Sequence, residues 1–442
     1  MKIKIFIKAL LLIVLFFWGI EFSFSDKDST ETIYASNHKA ISHRLNNNLS
    51  TFKETMVMDK IVTRFMKDNG LVGATVAIAK DGQLVYTKGF GYADKEKLEM
   101  VEPKHVFRIA SVSKLVTGIA IMKLVEEGKL TLEDKVFGPE GILPDSFYTD
   151  VLDKRVYEIK VKHLLYHTGG WSRYKGDPMF APVAIAHYMK EDLPIGPDVI
   201  IKYALQRRKL SYKPGTRYSY SNLGYAILGE VIEEKTGMNY EDYVQQEILE
   251  PVGIYDMHIG TNFYEDKAPN EVRYYEPPGS RKCLACDGSG RYVAKAYGGN
   301  NIQALGSAGG WVASSAELLK LVLSVDGFDS KPDILREGII DTMTTKDPVS
   351  RSIVGWKGSD GCGTWWRTGT LSGTTALVMR HRNGISWVFI TNTSSKSHRI
   401  HNAISRMMFQ AIHSVKEWPD HDLYLYYQPE KINPVQLLSI NP

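Results

Sequence analysis

The chain has 442 residues, of which 43% are hydrophobic and 24% charged, with a net charge of +4. That balance excludes a disordered or fibrous protein and gives enough chain for two or three domains around a large core. Residues 1–25 carry three lysines against one glutamate, so the remainder is only +2 and lacks the electrostatic footprint of a nucleic-acid binder.

The N-terminus reads as an export signal. Lys2, Lys4 and Lys8 form a basic start, Ala9 to Ile20 is an uncharged apolar run, and Ser23-Phe24-Ser25 offers small residues at a cleavage spacing, so the cut is placed after Ser25. Twelve helical residues rise about 18 Å, short of a hydrocarbon core of about 30 Å. The competing reading is an uncleaved anchor that recruits Ile5 to Ile7. The protein is thus expected to be periplasmic or secreted, or held at a membrane by residues 1–25 alone.

Residues 26–50 are polar and aperiodic and read as a linker. Thr51-Phe52-Lys53-Glu54 has the form of a capping box, before a helix with Met58, Ile61, Val62 and Phe65 on one face. Two β-rich runs, 74–80 and 83–90, flank Asp81-Gly82 and predict a hairpin. A second hairpin is predicted from 374–381 and 385–391 around Arg382-Asn383-Gly384, followed by a helix with Ile400, Ile404, Met407, Met408 and Ala411 on its apolar face. Between them, 131–305 is richer in short helices and loops, with one clear helix from Leu223 to Lys235 closed by Gly237. Residues 416–442 read as a tail. Cys283 and Cys286 form one C-x-x-C in a Gly-rich loop. A zinc site lacks two further ligands and a redox motif lacks its strand-to-helix context, so a local disulfide is expected.

Ser111 and Lys114 open a helix whose apolar stripe is Leu115, Ile119, Met122 and Val125. At i and i+3 they share a face, which brings an amine within reach of a hydroxyl at a helix N-terminus. A nucleophilic serine needs a proton acceptor and a place for the oxyanion. The S-x-x-K pattern occurs four times, at Ser36, Ser50, Ser111 and Ser172, and only Ser111 starts a long apolar helix. The plainer reading of Ser111 is an N-cap. Tyr220-Ser221-Asn222 supplies a phenol able to act as general base and an amide able to bind a carbonyl or position the lysine; the plainer reading is that Asn222 caps its helix. Arg367-Thr368-Gly369-Thr370 offers a permanent cation for a carboxylate and a glycine that lets a substrate backbone approach an edge strand. Lys235-Thr236-Gly237 only closes a helix. His163 and His167 lie at i and i+4, a spacing that invites a metal reading. No G-x-S-x-G elbow is present.

Ser111-x-x-Lys114, Tyr220-x-Asn222 and the basic-Thr-Gly at Arg367, in that order, resemble the serine β-lactamase/penicillin-binding-protein superfamily. The nearest branch is that of class C β-lactamase-related hydrolases, which also holds D,D-peptidases, D-aminopeptidases and carboxylesterases. Leu164 to Gly170 and Ala308 to Leu318 resemble two further phrases of that branch, and the likeness runs from about 55 to 415. It implies a mixed α/β (α+β) fold. An antiparallel sheet, built from 51–130 and 306–415, is covered by N- and C-terminal helices, and a mostly helical domain, 131–305, is inserted. It implies acyl transfer or hydrolysis of a peptide, amide or ester through a Ser111 acyl-enzyme, with Lys114 and Tyr220 relaying the proton and either one the base. Asn222, Arg367, Thr368, Gly369 and Thr370 would hold the substrate and the oxyanion, the latter between the N–H groups of Ser111 and Thr370. No metal or cofactor is implied; the partner is a small-molecule or peptide substrate, cell-wall fragments included. Arg367 departs from the family's usual lysine or histidine. Arginine gives up no proton in a protein, which counts against efficient β-lactam hydrolysis more than against acyl transfer. A D,D-peptidase, D-aminopeptidase or esterase is therefore favoured over a true β-lactamase, and a β-lactam or cell-wall-fragment sensor without turnover is the alternative.

Overall fold

The computed structural model describes residues 41–426 apart from 144–147, 149 and 396, so the export-signal reading and residues 427–442 lie outside the described residues. The elements that position the site follow the hydrophobic pattern. Helix α1 (Met56–Asn69) precedes a hairpin of β1 (Gly73–Lys80) and β2 (Gln83–Asp94), with β3 (Glu99–Met100) beside it. Helix α2 (Ser113–Glu126) leads into the mostly helical middle, whose longest helix is α3 (Asn222–Thr236). Helices α4 (Ile302–Gly309) and α5 (Ser315–Leu323) return the chain to the sheet. There β4 (Gly358–Ser359), β5 (Trp365–Leu371), β6 (Thr374–Arg380) and β7 (Ile385–Thr391) complete it before α6 (Ile400–His413).

The sheet is antiparallel, in the order β3-β2-β1-β7-β6-β5-β4. The two predicted hairpins thus meet at its centre, with Ala74 opposite Thr391 and Lys80 opposite Ile385. Alternation along the strands sends Ala74, Val76, Ile78, Trp387 and Phe389 to one face. Met58, Val62 and Met66 of α1 and Ile404, Met407 and Met408 of α6 pack there. Ala77, Ala79, Val388 and Ile390 go to the other face and join the larger core around α2, α3 and α5.

Several local expectations are corrected. Helix α1 is not entered through a capping box at Thr51. It begins at Met56 after Thr55, whose hydroxyl instead bonds the carbonyls of Ser50 and Phe52. Helix α2 carries no single apolar stripe. Every residue from Ser113 to Met122 is buried and Val125 is only partly so, because α2 runs through the core with neighbours all round. The linker reading fails for 41–50. Ile41 and Leu45 are buried, Asn47 Oδ1 accepts from Gly89 N at 2.7 Å, and Ser50 Oγ accepts from Thr87 N at 2.9 Å. The start of the tail also packs, since Leu423 and Tyr424 are buried and Tyr424 Oη donates to the Ala316 carbonyl. Cys283 and Cys286 are free thiols, not a disulfide. Cys283, on a two-residue strand, turns its Sγ toward the Val293 carbonyl, and Cys286 turns toward that of Asn300. Among the described residues no helix is long and apolar enough to cross a membrane.

Candidate active site

Ser111 lies in a short 3-10 turn, Ala110–Val112, that runs straight into α2. Ala110 holds φ at +49°, a conformation that costs an alanine about 1–2 kcal/mol and persists only where its surroundings enforce it. They do: Ala110 is fully buried, and the Ile109 N–H before it donates to the Trp311 carbonyl at 3.0 Å. One turn on, Lys114 is completely buried. Its Nζ lies 3.4 Å from Ser111 Oγ, donates to Asn222 Oδ1 at 2.7 Å, and also reaches the Ala308 carbonyl. Tyr220 comes from the loop before α3, and its Oη donates to Ser111 Oγ at 2.8 Å. The i,i+3 spacing and the Y-x-N step therefore meet at one hydroxyl. The capping role that Asn222 could have taken belongs to Ser221, whose Oγ accepts from Gly224 N at the start of α3. Asn222 is left free to face the lysine.

The charges are arranged to free a proton. Burial pushes the Tyr220 phenol up, but the cations of Lys114 and Arg367 and the hydrogen bonds around the hydroxyl more than reverse this, and it settles at about 8. Burial lowers the Lys114 amine, Tyr220 opposes that, and Arg367 adds to it. His167 packs its ring against Tyr220, with centroids 4.4 Å apart, and its Nδ1 accepts from Ser221 N at 3.3 Å. Burial, reinforced by Arg367, Lys114 and Lys357, holds this imidazole well below its ordinary range, so it is a neutral wedge that orients the Tyr220 loop. His163 spends its Nδ1 separately on Lys160 N, and the two histidines do not converge.

Strand β5 closes the other side, and here two expectations change. A Cβ on Gly369 would sit against the Ile109 carbonyl, far inside van der Waals contact, and 3.2 Å from Ser111 N. The glycine admits the Ser111 turn to the strand, rather than a substrate backbone. Arg367 does not face a substrate carboxylate. It is 2% exposed, its Nε donates to the Ser111 carbonyl at 2.7 Å, and its Nη2 is 3.5 Å from Tyr220 Oη. It braces the Ser111 backbone from behind. Of the four expected β5 residues only Thr370 lines the cavity, together with Ser111, Tyr220 and Asn222; Arg367, Thr368 and Gly369 do not. Because β4 pairs only with Trp365 and Trp366, no described strand lies beside Arg367–Leu371 on that edge.

The cavity is about 310 Å³. Two residues near it escaped the sequence reading. Asp177 lines it, and its Oδ2 accepts from Asn222 N at 2.9 Å and from Asn222 Nδ2 at 3.0 Å. His401 of α6 places Nε2 3.4 Å from Thr370 Oγ1 and 3.3 Å from the Gly369 carbonyl, so the last helix steadies the cavity-facing end of β5. For His401 the only available signal was its position at the start of the final helix.

The chain matches the family model described as Beta-lactamase over residues 58–406. A penicillin-binding protein of Bacillus subtilis (strain 168) is 28% identical over 201 residues, which are 46% of this chain and 40% of that protein, so the match spans about two fifths of its relative's length. Among solved structures, the octameric penicillin-binding protein homologue from Pyrococcus abyssi superposes with a TM-score of 0.59 at 26% identity, covering 82% of this chain and 79% of that one. The D-amino acid amidase from Ochrobactrum anthropi SV3 gives 0.61 at 20% identity over 81% and 99%, a likeness of fold. The matched span runs from within α1 to within α6 and takes in Ser111, Lys114, Tyr220, Asn222 and the whole of β5, and on that ground the chain belongs to the beta-lactamase family.

Proposed function

We propose that this protein is an exported serine hydrolase that cleaves an amide, peptide or ester bond through a Ser111 acyl-enzyme. The observation that carries this is the placement of Ser111 Oγ between Tyr220 Oη at 2.8 Å and Lys114 Nζ at 3.4 Å. Both groups have depressed proton affinity. As the Ser111 Oγ–carbon bond forms, its proton passes to the Tyr220–Lys114 pair. The carbonyl π electrons move to the oxygen, which the N–H groups of Ser111 and Thr370 receive. Collapse breaks the bond to the leaving amine or alcohol, which takes the proton, and water repeats the sequence to release the acid. The departure at Arg367 favours peptidase, amidase or esterase activity over efficient β-lactam hydrolysis, since a guanidinium shuttles no proton.

The test is an intact-mass time course with benzylpenicillin, on the protein and its Ser111→Ala form, beside an ester and amide panel. A mass gain of one drug molecule, or turnover of any panel substrate, that disappears in Ser111→Ala is the expected result. Turnover unchanged by Ser111→Ala overturns the reading. A persistent adduct without turnover of anything points to a sensor. The mass of protein recovered from an exporting host tests the signal, with loss of residues 1–25 expected and retention overturning cleavage.

A further inference from the structure

Asp177 brings a negative charge into a site otherwise ringed by cations. Lys114, Arg367 and Lys357 all act on the Tyr220–His167 pair, and Arg173 lines the same cavity as Asp177. Asp177 acts on the Lys114 charge across Asn222, which bonds both, and among the described residues no direct salt bridge joins it to any of these cations. Its bonding is asymmetric. Oδ2 is filled by the two N–H groups of Asn222, at 2.9 and 3.0 Å, whereas Oδ1 accepts only from Met179 N, at 3.1 Å. A carboxylate offers about four acceptor positions, so one remains open on Oδ1. Asn222 fixes the geometry, since the same side chain gives its oxygen to Lys114 and its amide N–H to Asp177. The carboxylate is therefore held one side chain away from the amine that serves Ser111. The third feature is an apolar wall from Phe180, Leu305 and Leu371. At about 310 Å³ the space suits one amino-acid-sized acyl group.

We infer that Asp177 is a specificity-determining residue that selects acyl donors with a free ammonium group next to the scissile carbonyl, that is, N-terminal aminoacyl amides or esters with an apolar side chain. The inference rests on the hydrolase reading above and adds the substrate class. Oδ1 takes the ammonium, the apolar wall takes the side chain, and the carbonyl falls to Ser111. An N-acylated donor presents no cation to Oδ1 and forgoes that contact, a loss that a site built around a polar group enforces strongly.

The experiment compares phenylalanine p-nitroanilide, in both enantiomers, with its N-acetyl counterpart, and uses p-nitrophenyl acetate as a donor with no amine. In the native protein kcat/KM is expected to favour the free amine by roughly tenfold or more. That advantage should fade as pH rises through the substrate amine's pKa of about 7.7, because the ammonium discharges; titration of Tyr220 affects both anilides and cancels in the ratio. Asp177→Asn keeps the size of the side chain and removes its charge. It should bring the ratio to within about twofold, mostly through KM, whatever common factor slows both substrates. Ser111-dependent acetate hydrolysis with no preference for the free amine, or a preference that survives both high pH and Asp177→Asn, overturns the role of Asp177 and leaves the hydrolase standing. Acetate, anilides and benzylpenicillin all untouched by Ser111 overturn both.

Discussion

At Arg367 the difference between reading a residue and placing it is largest. As a type, arginine at the head of R-T-G suggested a clamp for a carboxylate. In the fold its guanidinium is committed to the Ser111 carbonyl and lies near Tyr220. Its effect on chemistry is then electrostatic. It is one of the two cations that draw the Tyr220 phenol to about 8, and it also depresses Lys114. Removing a cation favours the protonated form of a neighbouring phenol and amine alike, so both proton affinities rise. Arg367→Gln should accordingly shift the ascending limb of the kcat/KM–pH profile upward by on the order of one unit. A limb that stays in place would show that Arg367 does not tune the base. Tyr220→Phe separates the two candidate bases: loss of that limb identifies the phenol, and its persistence identifies Lys114. Ser111, Lys114, Tyr220 and Asn222 were legible in the sequence because short spacings on regular elements carry them. Asp177 was not, because it is 45 residues from Asn222 in an aperiodic loop, and only tertiary packing makes them partners.

Among the elements, β5 and the Ser111 turn act as one unit. Gly369 has no room for a side chain against Ile109, and backbone on both sides leaves nothing flexible to yield. Gly369→Ala should cost about 1–3 kcal/mol from overpacking. It should also lower kcat/KM on the order of 100-fold, since it displaces Ser111 N relative to Thr370. A thermal melt paired with initial rates checks this, and full activity in the variant would refute the fit. Both hairpins and the terminal helices were readable from Asp-Gly and Asn-Gly turns between β-rich runs and from apolar periodicity. The entry to α1 and the burial of α2 were not. Thr51-x-x-Glu54 matches a capping pattern, yet Thr55 stands directly before the helix. Likewise no periodicity tells a helix with one buried face from one surrounded by core when nearly every residue is apolar or small.

Over the whole molecule, segments of polar composition turn out to lock the sheet. Residues 41–50 add two buried apolar side chains and satisfy the N–H groups of Thr87 and Gly89 on β2. A chain starting at residue 51 should lose about 3 kcal/mol or more and melt several degrees lower, as calorimetry would show; an unchanged melting temperature would mean the segment is dispensable. Composition hid this because the anchoring atoms are a serine and an asparagine, residues equally at home in a loop.

The pairing of Ala74 with Thr391 also bears on timing. The strand that carries Thr370 and the hairpin that seals the sheet's centre are made some 250 residues or more after the Ser111 turn. No chain emerging from a ribosome can assemble the cavity until nearly all of this domain is out. Long-range closure of this kind is slow, so there is an interval in which Ser111 exists without β5 beside it. During that interval the cavity lacks the wall that Thr370 and Leu371 supply, and a copy cut short before β5 never gains it.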